Sequence, residues 1–141
     1  MSDCIFCRIV RGELPCEKLY EDDQVLAFMD IGPIIKGHAL VIPKAHYDPI
    51  TAMPADLLGR VIAVVQRIAR AQFDGLRADG VNVHQTNGAA AGQVVPHVHF
   101  HVIPRFHTDG HSWNWRAGKY ADPGEMRTLA AQIRARIPTQ P

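Results

Sequence analysis

The chain has no surplus of either charge: 15 Lys and Arg stand against 14 Asp and Glu in 141 residues. That excludes the basic balance with which proteins hold duplex nucleic acid or an anionic membrane, and leaves room for a small anion, which needs only a few local donors. No apolar run approaches the roughly 20 residues that span a bilayer. The opening residues, MSDCIFCRIVRGEL, lack the charged-then-apolar layout of a secretory signal. These absences predict a soluble, cytoplasmic protein. Cysteine is scarce, and its count of three is odd, so a complete set of internal disulfides is excluded. In a reducing compartment a close cysteine pair more often binds metal or does redox work. There is no internal repeat and no low-complexity segment. A hydrophobic fraction of 47% suits one globular domain with a real core rather than disorder.

Apolar patterning predicts five strands and two helices. Tyr20-Glu21 and Val25 to Phe28 flank the turn Asp22-Asp23. Residues 37–43, GHALVIP, and 80–87, GVNVHQTN, read as a third and a fourth strand. PHVHFHVIPR supplies the fifth, bounded by Pro96 and Pro104, which cannot donate to a ladder. A long helix fits residues 54–73, with Pro54 in its first turn and a stripe of Leu57, Leu58, Val61, Ile62, Val65, Ile68 and Ala69. A second helix fits residues 123–137, capped by Asp122 with Glu125, and burying Met126, Leu129, Ala130 and Ile133. The expected class is α+β with an antiparallel sheet.

The fifth strand carries the unusual chemistry. His97, His99 and His101 alternate with Val98, Phe100 and Val102, so on a strand the three imidazoles share one face over about 13 Å. Three readings compete: a half-buried strand with a His-rich polar face, a metal site of the His-x-His kind, or a nucleophilic imidazole whose tautomer its neighbours set. Just upstream, NGAAAGQVV (residues 87–95) is a small-residue loop. Gly88 and Gly92 allow a close backbone approach, and such turns receive phosphate oxygens on their N–H groups. A phosphate loop running into a row of histidines favours attack of His on phosphorus, although an ordinary hairpin loop would read alike.

The run His97-Val98-His99-Phe100-His101-Val102-Ile103 resembles the signature of the histidine triad (HIT) superfamily, and of its small bacterial-type, Hint-like group. CIFCRIVRGELP, LYEDDQVLAFMDI, GHALVIPKAH and NGAAAGQVVPHVHFHVIPRF resemble the family's other blocks, in order, over roughly residues 4–106. The resemblance implies a single HIT domain over 1–141, with a helical extension from 107. It implies a five-stranded antiparallel sheet with one long and one C-terminal helix, two such sheets joining across a homodimer. It also implies nucleotidyl transfer to histidine. His99 would attack the α-phosphate of a purine nucleotide, and water would then hydrolyse the nucleotidyl-histidine to a nucleoside monophosphate. His101 would contact the phosphate and help the leaving group, and His38 would hydrogen-bond one ring nitrogen of His99. Asp30 would take the ribose hydroxyls. Phe6, Phe28 and Ile31 would enclose the base, and Asn87, Gly92 and Gln93 would form the phosphate loop. Two positions depart from the pattern: Val94 replaces a frequent Ser or Thr, and Thr86 a frequent Asn or Gln. Both bear on the leaving group rather than on the nucleophile, and the hydroxyl missing at Val94 counts against the phosphoramidate branch.

Cys4 and Cys7 have a Cys-x-x-Cys spacing whose hairpin geometry suits two ligands on one zinc. The resemblance implies that His46 and His97 complete a structural Cys2His2 site, with no cofactor needed for chemistry. Free thiols near the terminus are the plain alternative, and Cys16 has no evident partner. His84, His107 and His111 read as solvated or satisfied side chains. Trp113 and Trp115 suit packing, a pocket rim or a dimer seam, and Arg105 faces either phosphate or solvent. Two activities compete within the family, hydrolysis of nucleoside phosphoramidates and of dinucleoside polyphosphates. A nucleotide-binding adaptor and a hydrolase with catalytic zinc stand as the rivals from other classes.

Overall fold

The computed structural model describes residues 3–113 and 116–140. The chain forms two compact units, one running to Gly110 and one from His111. In the first, a short helix α1 (Ile5–Val10) precedes strands β1 (Lys18–Glu21), β2 (Val25–Met29) and β3 (Ala39–Pro43). The long helix α2 (Ala55–Leu76), then β4 (Gly80–His84) and β5 (Phe100–Arg105), follow. All pairings are antiparallel, in the spatial order β1-β2-β3-β5-β4. No described helix is long and apolar enough to cross a membrane.

β2 and β3 are covered on both faces, which is why they read as continuous apolar runs. Val25, Ala27, Ala39, Val41, Phe100 and Val102 join one core with α2. Leu26, Phe28, Leu40 and Ile42 form a second core on the opposite face, closed by Phe6 of α1. Alternation along each strand produces this division. It also aligns one cross-sheet row, because Phe28 pairs with Leu40, Leu40 with His101, and His101 with His84. The functional face is therefore the one turned away from α2.

α2 begins one residue later than expected. Pro54 is its N-cap rather than its first helical residue, and the Pro54 carbonyl accepts the Leu58 N–H at 3.0 Å. Leu57, Val61, Val64, Val65 and Ile68 are buried, each contributing up to about 1.5–3 kcal/mol by removal from water. Ile62, expected inside, is exposed. The helix runs on to Leu76 and stops at Arg77, whose φ of 56° is left-handed. That conformation is usually marked by Gly or Asn, so the sequence carried no stop signal there.

The histidine strand also differs from its expected bounds. It starts at Phe100 and continues through Pro104 to Arg105, leaving His97 and His99 in a bent, unpaired lead-in. Pro104 is tolerated because β3 pairs with β5 only as far as Ala39 opposite Val102. α1 was not foreseen at all, since one and a half turns cannot build a period.

The second unit contains α3 (Pro123–Arg134), which ends before the expected 137. Asp122 Oδ1 accepts the Glu125 N–H at 2.9 Å, and Glu125 Oε1 accepts the Ala121 N–H at 2.9 Å, a capping box displaced by one residue. The expected buried face is not buried: Met126, Leu129 and Ile133 are exposed, and no α3 residue is buried. An amphipathic stripe signals a need for cover, and periodicity is silent on what supplies it. Trp113 packs edge-on against His111 with centroids 5.1 Å apart. Trp115 lies outside the described residues.

Candidate active site and metal centre

A cavity of about 570 Å³ opens on the functional face. Phe6 and Phe28 form one wall, their rings edge-to-face with centroids 5.7 Å apart. Asp30 and Ile31 follow Phe28 at the end of β2, and Ile31 stands 97% exposed at the rim. His99 and His101 form the floor, with Gly92 and Val94 beside them. The structure thus brings together seven residues expected from the sequence. It adds Ile9, Leu14, Cys16 and Val95, wall residues to which the motifs assigned no site role.

The tautomers follow from which groups face each ring. His99 Nδ1 lies 2.7 Å from the His97 carbonyl oxygen. A carbonyl only accepts, so Nδ1 carries the hydrogen and the lone pair sits on Nε2. The bent lead-in makes this possible, since it turns the His97 carbonyl back toward its own chain. Ile34 N–H donates to His38 Nδ1 at 3.1 Å, so the neutral His38 ring holds its hydrogen on Nε2. That Nε2–H donates to His101 Nδ1 at 2.8 Å. His101 in turn holds its hydrogen on Nε2, as a donor.

This corrects one expectation. His38 supports His101, not His99. The cause is the register: Leu40 opposite His101 places His38, two residues back, within reach of that ring. Burial holds His38 below the ordinary histidine value, against the pull of the Asp30 carboxylate. His101 is pushed down to about 4, by burial first and then by the neighbouring rings of His99, His38 and His84. Both rings are neutral at pH 7, as the hydrogen-bond chain requires.

Gln93 and Asn87 do not line the cavity. Gln93 Oε1 accepts the Gly88 N–H at 2.6 Å, while its Nε2 donates to Asp48 Oδ1 at 2.7 Å and the Val95 carbonyl at 2.9 Å. Asn87 Oδ1 accepts the Ile50 N–H at 2.8 Å. These side chains brace the loop from behind. Of the three expected loop residues, Gly92, at φ 90°, is the one on the cavity wall. His84 packs edge-on against His101 at 5.9 Å, and Arg105 is held by Asp109 and Asn82 rather than at the cavity.

Cys4 and Cys7 are not on a hairpin. Cys4 is the N-cap of α1 and Cys7 lies in its first turn. Cys4 Sγ is 3.4 Å from His97 Nδ1, and Cys7 Sγ is 3.6 Å from the same atom and 3.4 Å from His46 Nδ1. One ligand atom from each of the four residues lies within 4.8 Å of the others. Zinc bonds of about 2.3 Å to sulfur and 2.0–2.1 Å to nitrogen at the tetrahedral angle put S and N roughly 3.5 Å apart, so the donor set fits. His97 Nε2–H donates to the Pro43 carbonyl at 2.9 Å, which leaves Nδ1 for a metal. Burial pushes the Cys7 thiol up, aided by its neighbour Cys4, and burial holds His97 down in its neutral, ligating form. Asp30, His38 and His101 form a second compact donor group. It does not fit a metal, because the Ile34 N–H occupies the His38 Nδ1 lone pair and so keeps a hydrogen on Nε2.

The family model described as the HIT domain matches residues 11–108. The chain belongs to the HIT family. An adenosine 5'-monophosphoramidase of Schizosaccharomyces pombe is 38% identical over 135 residues, covering 95% of this HIT chain and 98% of that protein. The crystal structure of a HIT family protein from Bacillus subtilis superposes with a TM-score of 0.90 at 38% identity, covering 98% of this chain and 99% of that one. A Zn-bound histidine triad family protein from Mycobacterium smegmatis superposes with a TM-score of 0.75 at 40% identity, covering 95% and 97%. The five-stranded antiparallel sheet with its helices is the HIT architecture.

Proposed function

We propose that this protein hydrolyses purine nucleoside phosphoramidates through a covalent nucleotidyl-histidine at His99. One observation carries the reading: the His97 carbonyl fixes the His99 hydrogen on Nδ1, which leaves the lone pair on Nε2 of a ring that lines the cavity. The base packs against the wall formed by Phe6 and Phe28, and the ribose hydroxyls reach Asp30. His99 Nε2 attacks the α-phosphorus and the P–N bond to the leaving group breaks. Its electron pair stays on the departing nitrogen, which takes a proton from solvent. His99 becomes a cation, and the His97 carbonyl at Nδ1–H stabilises it. His101 donates its Nε2–H to a phosphate oxygen. Water then attacks phosphorus and gives up a proton to solvent, the P–Nε2 bond breaks with its electron pair returning to Nε2, and the nucleoside monophosphate leaves.

The cavity wall favours this branch over dinucleoside polyphosphates. Among its described residues there is no Lys or Arg, so further phosphates beyond the α position would find no cation. Val94, 89% exposed at the rim, offers the leaving group no hydroxyl, so the departing nitrogen has solvent as its proton source. The name of the Schizosaccharomyces relative supports the same class. Zinc, when bound by Cys4, Cys7, His46 and His97, would tie α1 to the two loops as a structural ion. In the same reading the protein is a homodimer, since β4 is an edge strand with Val83 exposed on it.

The test is product analysis with adenosine 5'-phosphoramidate and a diadenosine polyphosphate, on wild type and His99→Ala. AMP release from the phosphoramidate alone by wild type, and none by a folded His99→Ala, is expected. Equal rates for the two proteins would return the site to a binding role.

A further inference from the structure

Gln72 is a buried polar residue on the sheet-facing side of α2. A buried amide needs partners. Its Nε2 donates to the Gly37 carbonyl at 3.0 Å and to the Val102 carbonyl at 2.8 Å. Its Oε1 is buried with no hydrogen-bond partner among the described residues, so the amide serves as a donor only. Gly37 immediately precedes His38, and Val102 immediately follows His101. One primary amide therefore ties together the two backbone segments whose imidazoles meet at 2.8 Å.

The strand register explains why a helix side chain is needed there. Pairing of β3 with β5 ends at Ala39 opposite Val102. Extended by two residues on each strand, it would set Gly37 opposite Pro104. Proline has no N–H, so the Gly37 carbonyl loses its ladder donor at that rung. The segment is also pressed close: a Cβ on Gly37 would fall 2.6 Å from Leu76 Cδ1 and 3.0 Å from Pro104 Cγ. The Gln72 amide stands in for the missing N–H.

We propose that Gln72 is a positioning residue for the His38–His101 pair. It acts from the opposite face of the sheet, fixing the spacing of the two backbones and through it the aim of the His101 Nε2–H. The inference rests on the reading of His101 as a phosphate donor, but the imidazole hydrogen bond itself can be observed without turnover.

Gln72→Met keeps the side chain's length and removes both donors. With adenosine 5'-phosphoramidate, kcat should fall about tenfold, within the loss that sub-ångström to 1 Å misplacement produces. KM should change less than about twofold, since Phe6, Phe28 and Asp30 sit on other elements. Adding Pro104→Ala restores an N–H opposite Gly37 and should recover most of the lost kcat. By 15N-detected NMR, the His38 Nε2–H signal, sharp in wild type, should broaden or vanish in Gln72→Met and return in the double variant. If Gln72→Met fails to fold, Gln72→Asn, which withdraws the amide by one methylene, should show the same NMR loss. A folded variant that keeps the His38 Nε2–H signal and loses only thermal stability overturns the proposal. If wild type does not hydrolyse the nucleotide, the proposed function fails, and the NMR result still decides the positioning role.

Discussion

His101 should make the fold acid-sensitive in a defined window. The unfolded chain takes up this proton near the ordinary value of 6.5, whereas the folded chain takes it up only at about 4. Between those values the unfolded state binds more protons, so stability falls as pH falls. Above 6.5 neither state is protonated, and the full stability is present. Lowering the pKa from 6.5 to about 4 corresponds, at about 1.4 kcal/mol per pH unit, to roughly 3 kcal/mol lost by pH 4. That is a large share of the about 5–15 kcal/mol that holds a domain together. Urea melts at intervals from pH 7.5 to pH 4 measure it, comparing wild type with His101→Asn. The variant keeps an acceptor for the His38 Nε2–H in its Oδ1 but has no group that titrates, so it is expected to fall less steeply between pH 6.5 and 4. A residual slope remains from His38 and His97, both held low by burial. Parallel curves for the two proteins would refute the assignment of His101 as the ring that burial keeps neutral.

Cys7→Ser should lower bound zinc from one equivalent to well below it and reduce Tm, read by metal analysis and calorimetry; stoichiometric zinc in the variant would remove Cys7 from the ligand set. Gly37→Ala should destabilise by at least about 1–3 kcal/mol, since its φ is left-handed and the new methyl would meet Leu76 and Pro104, measurable by denaturant melts. Asp122→Ala should cost α3 about 1 kcal/mol by removing the bond to the Glu125 N–H, seen as faster amide exchange in residues 123–126.

Much of the fold was legible because apolar alternation and turn residues agreed along the chain. Val25 to Phe28, Ala39 to Pro43 and, apart from the exposed Ile62, the stripe of α2 appear where their patterns placed them, with ends shifted by a few residues. The shifts share a cause. Caps and strand ends depend on partners far away in sequence: Arg77 stops α2 without a glycine, and β5 begins where β3 and β4 can reach it, not where Pro96 ends. Phe6, Phe28, Asp30, His99 and His101 were legible as a group only through the family's ordered blocks, since nothing local predicts that residue 6 meets residue 28. The turn of the Gln93 and Asn87 amides onto the loop itself was not legible, because a motif position says which residue is present, not which way its amide turns. Gln72 was invisible, a polar residue on an apolar stripe whose meaning depends on a proline thirty-two positions later.

Strand alternation would place His97, His99 and His101 on one face, yet in the structure each ring faces a different partner. The lead-in is bent at His97, so its ring turns to the thiols of α1 while its carbonyl turns to His99 Nδ1. Only His101 lies on the regular strand, and it alone pairs across the sheet, with Leu40 and His84. The metal reading and the nucleophile reading were therefore never exclusive. A ligand at His97 would hold in place the same carbonyl that selects the His99 tautomer. Phe6, borne by the helix that carries both cysteines, packs edge-on against His97 at 5.8 Å and His99 at 5.2 Å. Loosening the cysteines should then disturb the Phe6 wall and the proposed nucleophile together.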